Sequence, residues 1–278
     1  MSNRTIRSIV IWAITIFICF IIFWPVYWIV ISSFATPEDL FAMPVNYSPF
    51  GRTLENYRIL LDRATDTIAH FTDTAKLLAA TLVVSTILCA LAGYAFARST
   101  SRGIKLAFGA LLFSMMIPGT MTVVPLLVLW RWLGLTDTLS GLTLLYLSML
   151  IPFSVIMFSA YIRQIPASLE EAAWIDGSGI IGTFFRIIFP LLKPIVATLC
   201  IINFINGINE FFTPLVFTTR NVRVLSQLVF NVPRVNVWQE PWATIAASGV
   251  LMIAPTVLFI LLFEKNIMSG LMMGSVKQ

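Results

Sequence analysis

Long apolar stretches, separated by shorter polar segments, run through almost the whole chain. Six of them match the roughly 20 residues that a helix needs to cross the hydrocarbon core of a bilayer. These stretches lie near residues 9–31, 75–97, 106–130, 141–162, 195–217 and 243–263. The pattern therefore predicts an all-α, polytopic membrane protein with six transmembrane helices, organised as one transmembrane domain over residues 1–278.

The distribution of lysine and arginine between the spans predicts their orientation. The short connection Arg98–Lys105 holds three basic residues and no acid, whereas Arg131–Ser140 holds one of each. Because short cytoplasmic loops are enriched in basic residues, we expect the first connection to face the cytoplasm and the second to face outward. Six spans then place both the N- and C-termini in the cytoplasm, together with the longer connection 163–194.

Composition narrows the class of protein further. Hydrophobic residues make up 58% of the chain and charged residues only 11%, against about 25% charged in a typical soluble domain. A soluble fold with this composition would expose large apolar patches. The net charge of +5 comes from basic residues scattered between apolar segments. Basic residues distributed in this way orient the helices in the membrane and contact lipid headgroups. The sequence gives no sign of a nucleic-acid-binding surface.

The connection 163–194 differs in pattern from the other loops. Residues 169–176 are good helix formers and are followed by the helix-breaking sequence Gly177-Ser178-Gly179. A second short amphipathic helix is expected over residues 180–189, and Pro190 and Pro194 are expected to end it. The pattern therefore predicts that the loop forms two short helices joined by a glycine turn.

The first of these short helices has an acidic polar side made of Glu170, Glu171 and Asp176. Interfacial helices that bind lipid usually carry basic residues there. An acidic helix beside an anionic membrane leaflet is better explained by a basic protein partner. Leu169, Ala172, Ala173 and Asp176 share one helix face at spacings of three, four and seven residues.

The spacing of Glu171-Ala172-Ala173, Gly177, Ile187 and Pro190 resembles the EAA signature of the membrane permease subunits of bacterial ABC importers. The fuller string Glu170–Ser178 resembles the carbohydrate-uptake class of these subunits, specifically the maltose-type permeases. We therefore name residues 163–194 the EAA loop.

The resemblance extends beyond the EAA loop. Gly93-Tyr94-Ala95-Phe96-Ala97-Arg98, at the end of the second span, is similar to the same class. So is Asn209-Glu210-Phe211-Phe212 in the fifth span, although Ile208 replaces the tryptophan that usually precedes the asparagine. The match therefore covers nearly the whole chain.

The resemblance implies the ABC-importer permease fold, a place in the bacterial cytoplasmic (inner) membrane, and a transport role rather than an enzymatic one. It implies a second permease subunit, two ABC ATPase subunits and an extracytoplasmic solute-binding protein as partners. ATP and Mg²⁺ are then expected in the ATPase subunits, with no cofactor bound by this chain. The residues implied for ATPase coupling are Glu170, Glu171, Ala172, Ala173, Asp176, Gly177, Ile187 and Pro190.

The predicted fifth span carries a series of polar residues, Asn203, Asn206, Asn209 and Glu210. Polar groups at membrane depth avoid lipid, so they pack against other helices or line a hydrophilic pathway. Met116 and Pro118 mark a break in the predicted third span and are further candidates for the pathway.

Several kinds of site are missing from the sequence. It contains no P-loop signature, and its only histidine, His70, falls in a predicted external loop, so no metal site is expected.

Two alternatives to a sugar importer remain open. One is an ABC importer for another solute, such as a glycerophosphodiester. The other is a stand-alone secondary transporter, which would not need an EAA loop.

Overall fold

The computed structural model of the chain describes residues 3–45, 47–48, 53–62, 64–232 and 241–275. These residues form helices joined by short connections, and none of the described residues forms a strand. The helices are α1 Asn3–Ser33, α2 Pro37–Leu40, α3 Glu55–Asp62, α4 Ala64–Arg98, α5 Arg102–Ser114, α6 Gly119–Trp132, α7 Leu139–Ile162, α8 Ser168–Ile175, α9 Ile180–Thr183, a π-helical turn Phe184–Ile188, α10 Phe189–Leu191, α11 Lys193–Asn209, α12 Phe212–Phe217, a 3₁₀-helix Leu225–Phe230 and α13 Trp242–Ser275.

The helix lengths agree with a protein that crosses a membrane several times. Four described segments are long and apolar enough to span a bilayer. Two further helix pairs are bent, α5 with α6 by 103° and α9–α10 with α11 by 72°, and they raise the number of spans to six if each pair is one span. The four long segments are Arg7–Ser33, Thr67–Arg98, Leu139–Ile162 and Trp242–Phe263.

Two of the predicted spans differ in their bounds from the helices of the structure. The helix of the second predicted span, α4, begins at Ala64 rather than near residue 75, so His70 is buried within α4 and its predicted place in a loop is wrong. The polar residues of this first part of the helix lower its hydropathy, and the hydrophobic pattern therefore misses it. The predicted fifth span 195–217 is divided between α11 and α12. The apolar segment Trp242–Phe263 agrees with the predicted sixth span 243–263, within a helix that continues to Ser275.

The predicted third span is broken where the sequence suggested. Helix α5 ends at Ser114, and Pro118 precedes the first residue of α6 in an extended conformation. Proline has no N–H to continue the helical ladder, so the Ser114 carbonyl accepts from the Ile117 N–H at 3.3 Å instead. Neither α5 nor α6 contains a buried residue within this chain.

The chain divides into two compact units, of which the first combines Met1–Ile68 with Leu228–Pro255. Its described part is organised by the buried side chain of Asn56. The Asn56 amide donates to the carbonyls of Ser33 and Ala35 at 3.0 and 2.8 Å. The Asn56 carbonyl accepts from Thr244 Oγ1 at 3.2 Å. One amide thereby ties α3 to the end of α1 and the start of α13.

The second unit combines Ala69–Gln227 with Thr256–Gln278, and two apolar clusters hold its helices together. At the end that carries the EAA loop, α4, α7 and α11 pack with Phe184 and Ile188 of the π-helical turn. At the opposite end, α4, α7 and α11 pack with Phe217 of α12 and with the connection that follows it. The same three helices therefore run through both clusters.

Two glycines allow the close approach of these helices. A Cβ atom at Gly93 of α4 would lie 2.6 Å from Phe158 Cβ and 3.0 Å from the Ser159 backbone nitrogen of α7. A Cβ atom at Gly207 of α11 would lie 2.6 Å from Leu78 Cδ2. Because the atoms facing Gly93 belong to the backbone and to a Cβ, they cannot rotate away.

We predict that Gly93→Ala destabilises the protein by about 1–3 kcal/mol, because overpacking forces two helices apart. The measurement is the apparent melting temperature of the purified protein in detergent. Gly109→Ala is the matched control, since Gly109 is also a helix glycine but has no atom within 4 Å of the added carbon. Equal melting temperatures for the two variants would contradict the close packing at Gly93.

Candidate functional site

The EAA loop contains the helix and glycine turn that its sequence predicts. Helix α8 runs from Ser168 to Ile175, and Gly177 follows with a φ of +84°. In this left-handed conformation the Gly177 and Ser178 N–H groups cap the helix by donating to the carbonyls of Trp174 and Ala173 at 3.0 and 2.9 Å. The residue at this position therefore needs the conformational freedom of glycine.

The second half of the loop is longer than predicted, because Pro190 does not end it. Residues Phe184–Ile188 form a π-helical turn, in which the Phe189 N–H bonds to the Phe184 carbonyl five residues back. Pro190 then sits in the first turn of α10, a position that tolerates a missing N–H. The segment thus continues to Leu191, with Ile187 half-buried and Pro190 exposed.

Burial on α8 differs from the face expected from its sequence. Glu170 and Ala173 are the buried residues of this helix, whereas Leu169, Ala172 and Asp176 are exposed. Along residues 169–181 the exposed surface of the loop combines acidic and apolar side chains, whereas Arg163, Arg186 and Lys193 are exposed elsewhere in the loop. It contains Leu169, Glu171, Ala172, Trp174, Ile175, Asp176, Ile180 and Ile181.

Glu170 is therefore buried within this chain, whereas the sequence placed it on the acidic polar side of the helix. Its side chain is 2% exposed, and Glu170 Oε1 lies 2.7 Å from Nε of the partly buried Arg98 in an ion pair. Glu170 Oε2 accepts a hydrogen bond from the Tyr94 hydroxyl at 2.8 Å. Arg98 Nη2 also donates to the Ile165 carbonyl at 2.7 Å. Burial of a carboxylate is tolerated here because both of its oxygens have donors.

The polar residues of α11 occupy different environments. Asn203 is buried and donates to Ser154 Oγ of α7 at 3.0 Å, which is the helix-packing role. Asn209 donates to the Ile205 carbonyl of its own helix at 2.8 Å. The exposed residues among the four are Asn206 and Asn209. The structure therefore separates Asn203 from the candidates for a pathway.

Glu210 organises the break between α11 and α12. Its Oε1 accepts the Thr213 N–H at 2.7 Å and so caps the start of α12. Pro214 has no N–H for the Glu210 carbonyl, which accepts instead from Ser226 Oγ at 2.8 Å and the Tyr146 hydroxyl at 3.4 Å. Glu210 is thus a structural carboxylate as well as a half-exposed one.

Met116 and Pro118 lie at the bend between α5 and α6. Met116 is 76% exposed, and Pro118 is exposed as well. The structure thus places both residues on a surface that this chain leaves uncovered.

Sequence reasoning missed one carboxylate that organises the end of the second unit opposite the EAA loop. Asp137 has a φ of +56°, which is uncommon for a residue with a side chain. Its carboxylate accepts the backbone N–H groups of residues 219–222 at 3.0–3.2 Å and the Thr219 hydroxyl at 2.9 Å. One available signal was the identity of the residue, because aspartate tolerates the left-handed region better than most residues.

The same contacts set the protonation state of Asp137. Partial burial raises the pKa of the carboxyl, but the N–H groups of Thr219, Asn221 and Arg220 and the Thr219 hydroxyl outweigh it and hold the pKa far below its ordinary value. Because the folded pKa is depressed, the stabilisation is present above the unfolded value of about 3.9 and is lost only as the pH falls through the folded value. The contact is therefore intact throughout the physiological range.

Comparison with known proteins gives a consistent result. Residues 87–269 match the family model described as binding-protein-dependent transport system inner membrane component. The chain is 34% identical to a trehalose transport system permease protein of Mycobacterium tuberculosis, over 71% of this chain and 72% of that protein. It is 30% identical to a trehalose/maltose transport system permease protein of Thermococcus litoralis, over 100% and 99% of the two chains.

The fold also has a solved counterpart. A chain from a bacterial ABC transporter involved in the import of the acidic polysaccharide alginate superposes with a TM-score of 0.82. The match covers 95% of this chain and 98% of that one, at 22% sequence identity. At this identity the likeness establishes the fold, which is the all-α permease fold that the sequence predicted.

We predict that Asp137→Asn loosens the connection 218–224, because backbone donors arranged around an anion lose their charged acceptor. Hydrogen bonds to charged groups stabilise by about 1.5–3 kcal/mol, so the amides of residues 219–222 should exchange with solvent at least about tenfold faster. Hydrogen exchange followed by mass spectrometry measures this rate. In the unaltered protein the protection should be constant between pH 5 and pH 8 after correction for intrinsic exchange.

The control for Asp137→Asn is Asp39→Asn, which makes the same chemical change in α2. It should leave exchange at residues 219–222 unchanged. Equal protection of these amides in the Asp137 variant and in the unaltered protein would contradict the structural role of this carboxylate.

Proposed function

The chain belongs to the family of binding-protein-dependent transport system inner membrane components, and on that premise we propose that it forms half of the translocation pathway of an ATP-driven sugar or oligosaccharide importer. It is a membrane-spanning permease subunit of an ABC importer. The observation that carries the proposal of ATPase coupling is the EAA loop, a capped helix followed by a left-handed glycine with an exposed acidic and apolar surface.

The exposed surface of the EAA loop supports docking to an ATPase subunit. Ile175 is 86% exposed, and the neighbouring side chains of Trp174 and Ile181 are also exposed. Apolar side chains beside the exposed carboxylates of Glu171 and Asp176 suit a groove that is apolar at its centre and basic at its rim. In this proposal Glu171 pairs with a basic residue of the ATPase, and ATP and Mg²⁺ are bound by that partner.

A second permease subunit is needed to complete the pathway. Helices α5 and α6 expose apolar side chains along their length and bury none within this chain. Asn206 and Asn209 of α11 are exposed in a helix whose other residues are mostly apolar. A polar side chain at membrane depth is costly against lipid, so we assign the exposed side of Asn206 and Asn209 to the pathway or to its partner subunit. An asparagine both donates and accepts hydrogen bonds, as recognition of sugar hydroxyls requires.

The substrate class rests on the relatives. The two curated relatives are named for trehalose and for trehalose with maltose, and the solved counterpart imports alginate. All three names describe carbohydrates, and the family depends on a binding protein. We therefore propose a di- or oligosaccharide that an extracytoplasmic binding protein delivers.

The test is purification of the affinity-tagged chain in mild detergent, followed by identification of the retained proteins and reconstitution in vesicles. The proposal expects two copies of an ABC ATPase, a second permease, and uptake of a labelled oligosaccharide that requires ATP and the binding protein. Uptake of a glycerophosphodiester in place of sugars would overturn the substrate class. Solute movement by the chain alone without ATP would overturn the importer.

We predict that Glu171→Lys reduces the retained ATPase at least tenfold, because the substitution replaces the exposed carboxylate with a charge that repels a basic groove. Quantitative mass spectrometry of the purified complex measures this loss. Glu38→Lys reverses the charge of another exposed carboxylate, in α2, and should retain the ATPase fully. Full retention in the Glu171 variant would remove Glu171 from the proposed contact.

We predict that Gly177→Asp uncouples ATP hydrolysis from uptake, with the protein still in the membrane. Aspartate tolerates a positive φ better than most residues with a Cβ, so we expect strain of about 1 kcal/mol at the φ of +84°, enough to shift the orientation of α8. Gly179→Asp is the matched control, because Gly179 lies in the same turn with a φ of −75° and equally open surroundings. The comparison to make is sugar transported per ATP hydrolysed, and an unchanged ratio in the Gly177 variant would refute the coupling role.

A further inference from the structure

The buried face of α8 joins this helix to the last turns of α4. Tyr94 and Arg98 are four residues apart on α4 and therefore lie on one side of it. They supply one donor to each carboxylate oxygen of Glu170, at 2.8 and 2.7 Å. The two ends of this contact belong to two elements separated by more than 70 residues, the second predicted span and the EAA loop.

Other contacts hold the same end of α4 in place. Arg98 Nη2 donates to the Ile165 carbonyl just before α8. Arg163 Nη2, at the end of α7, donates to the Phe96 carbonyl at 3.2 Å. The ring of Tyr94 also packs against Phe184 of the π-helical turn, with centroids 5.3 Å apart. The end of α4 is thus bound to the start of the EAA loop, to its second half and to α7.

Helix α8 has little other attachment to the membrane helices. Of its eight residues only Glu170 and Ala173 are buried, and Ala173 offers a single methyl group. A displacement of the exposed surface of α8 must therefore reach the spans largely through Glu170 and the backbone at either end. A charge-assisted contact to a buried carboxylate resists such a displacement, because separating the charges leaves the buried Glu170 uncompensated.

We propose that Glu170, Arg98 and Tyr94 form the joint that transmits movement of the EAA loop to the second span. This inference rests on the proposed function, since it concerns how docking of the ATPase acts on the pathway. Glu170 and Arg98 are positioning residues in this role, because they touch neither the solute nor the ATPase. The two adjacent glutamates then have opposite tasks, with Glu171 facing the ATPase and Glu170 facing α4.

The test compares Glu170→Gln, Arg98→Gln and the exchanged pair Glu170→Arg with Arg98→Glu in the reconstituted complex. Retained ATPase, ATP hydrolysis and sugar uptake are measured together. The single variants should retain the ATPase and hydrolyse ATP within about twofold of the unaltered complex, while sugar transported per ATP falls at least tenfold. The exchanged pair should recover a substantial part of that ratio, because it restores opposite charges.

If Glu170 and Arg98 only stabilise the fold, the variants should give a different result from the one that the joint predicts. If the single variants keep the unaltered ratio of transport to hydrolysis, the joint is overturned. It is also overturned if they lose the ATPase and the exchanged pair does not restore the ratio. Glu55→Gln is the control, because it neutralises a carboxylate in an exposed ion pair with Arg58 and should leave the ratio unchanged.

The same experiment distinguishes failure of the proposed function from failure of the joint. Without ATP-driven uptake by the unaltered complex, the importer itself is refuted, whatever the variants do. Should Arg98→Gln accumulate poorly, Glu170→Gln still decides the question. Its amide keeps the shape of the carboxylate and an oxygen that accepts from Arg98, and it removes only the charge.

Discussion

Backbone groups that lie in an apolar environment must find hydrogen-bond partners, and this constraint determines where the helices of this protein can break. At the first break Pro118 has no N–H to donate, and the Ser114 carbonyl accepts a hydrogen bond from the Ile117 N–H instead. At the second break Pro214 leaves the Glu210 carbonyl without its helical donor, and Ser226 supplies a hydroxyl from outside the helix. A break therefore persists only where a neighbouring group replaces what the helix has lost, which makes each break a site of specific contact.

The need for hydrogen-bond partners applies to the carboxylates as well. Glu170, Asp137 and Glu210 are each occupied by donors from within the chain, and each fixes a connection between helices. Glu170 holds the EAA loop against α4, Asp137 holds the connection after α12, and Glu210 holds the break before it. The acids left exposed in the EAA loop, Glu171 and Asp176, are then the ones available to a partner. Two glutamates that are adjacent in sequence point in different directions because consecutive helix positions are about 100° apart.

Helices α4, α7 and α11 form the packed core to which these connections are attached. They contribute to the apolar clusters at both ends of the second unit, so in the proposed coupling a shift imposed at the EAA loop reaches the opposite end along continuous helices. Close contact of α4 with α7 at Gly93 and of α11 with Leu78 at Gly207 leaves no room for one helix to slide freely past the next. Transmission by rigid elements with a few polar joints is the behaviour expected of a subunit driven from one side of the membrane.

The sequence by itself determined the class of fold, the approximate spans, the break at Pro118 and the glycine turn of the EAA loop, because hydrophobic periodicity and the requirements of proline and glycine are local properties. Only the tertiary structure decided which polar residues are buried. Asn203 and Asn206 look alike on a helical projection, yet one bonds to Ser154 and the other is exposed. Glu170 was indistinguishable from Glu171, and Asp137 gave little local sign of its donors, because their partners lie 72 to 85 residues away in the chain. The environment of a polar group depends on what the fold brings to it, and no local pattern records that.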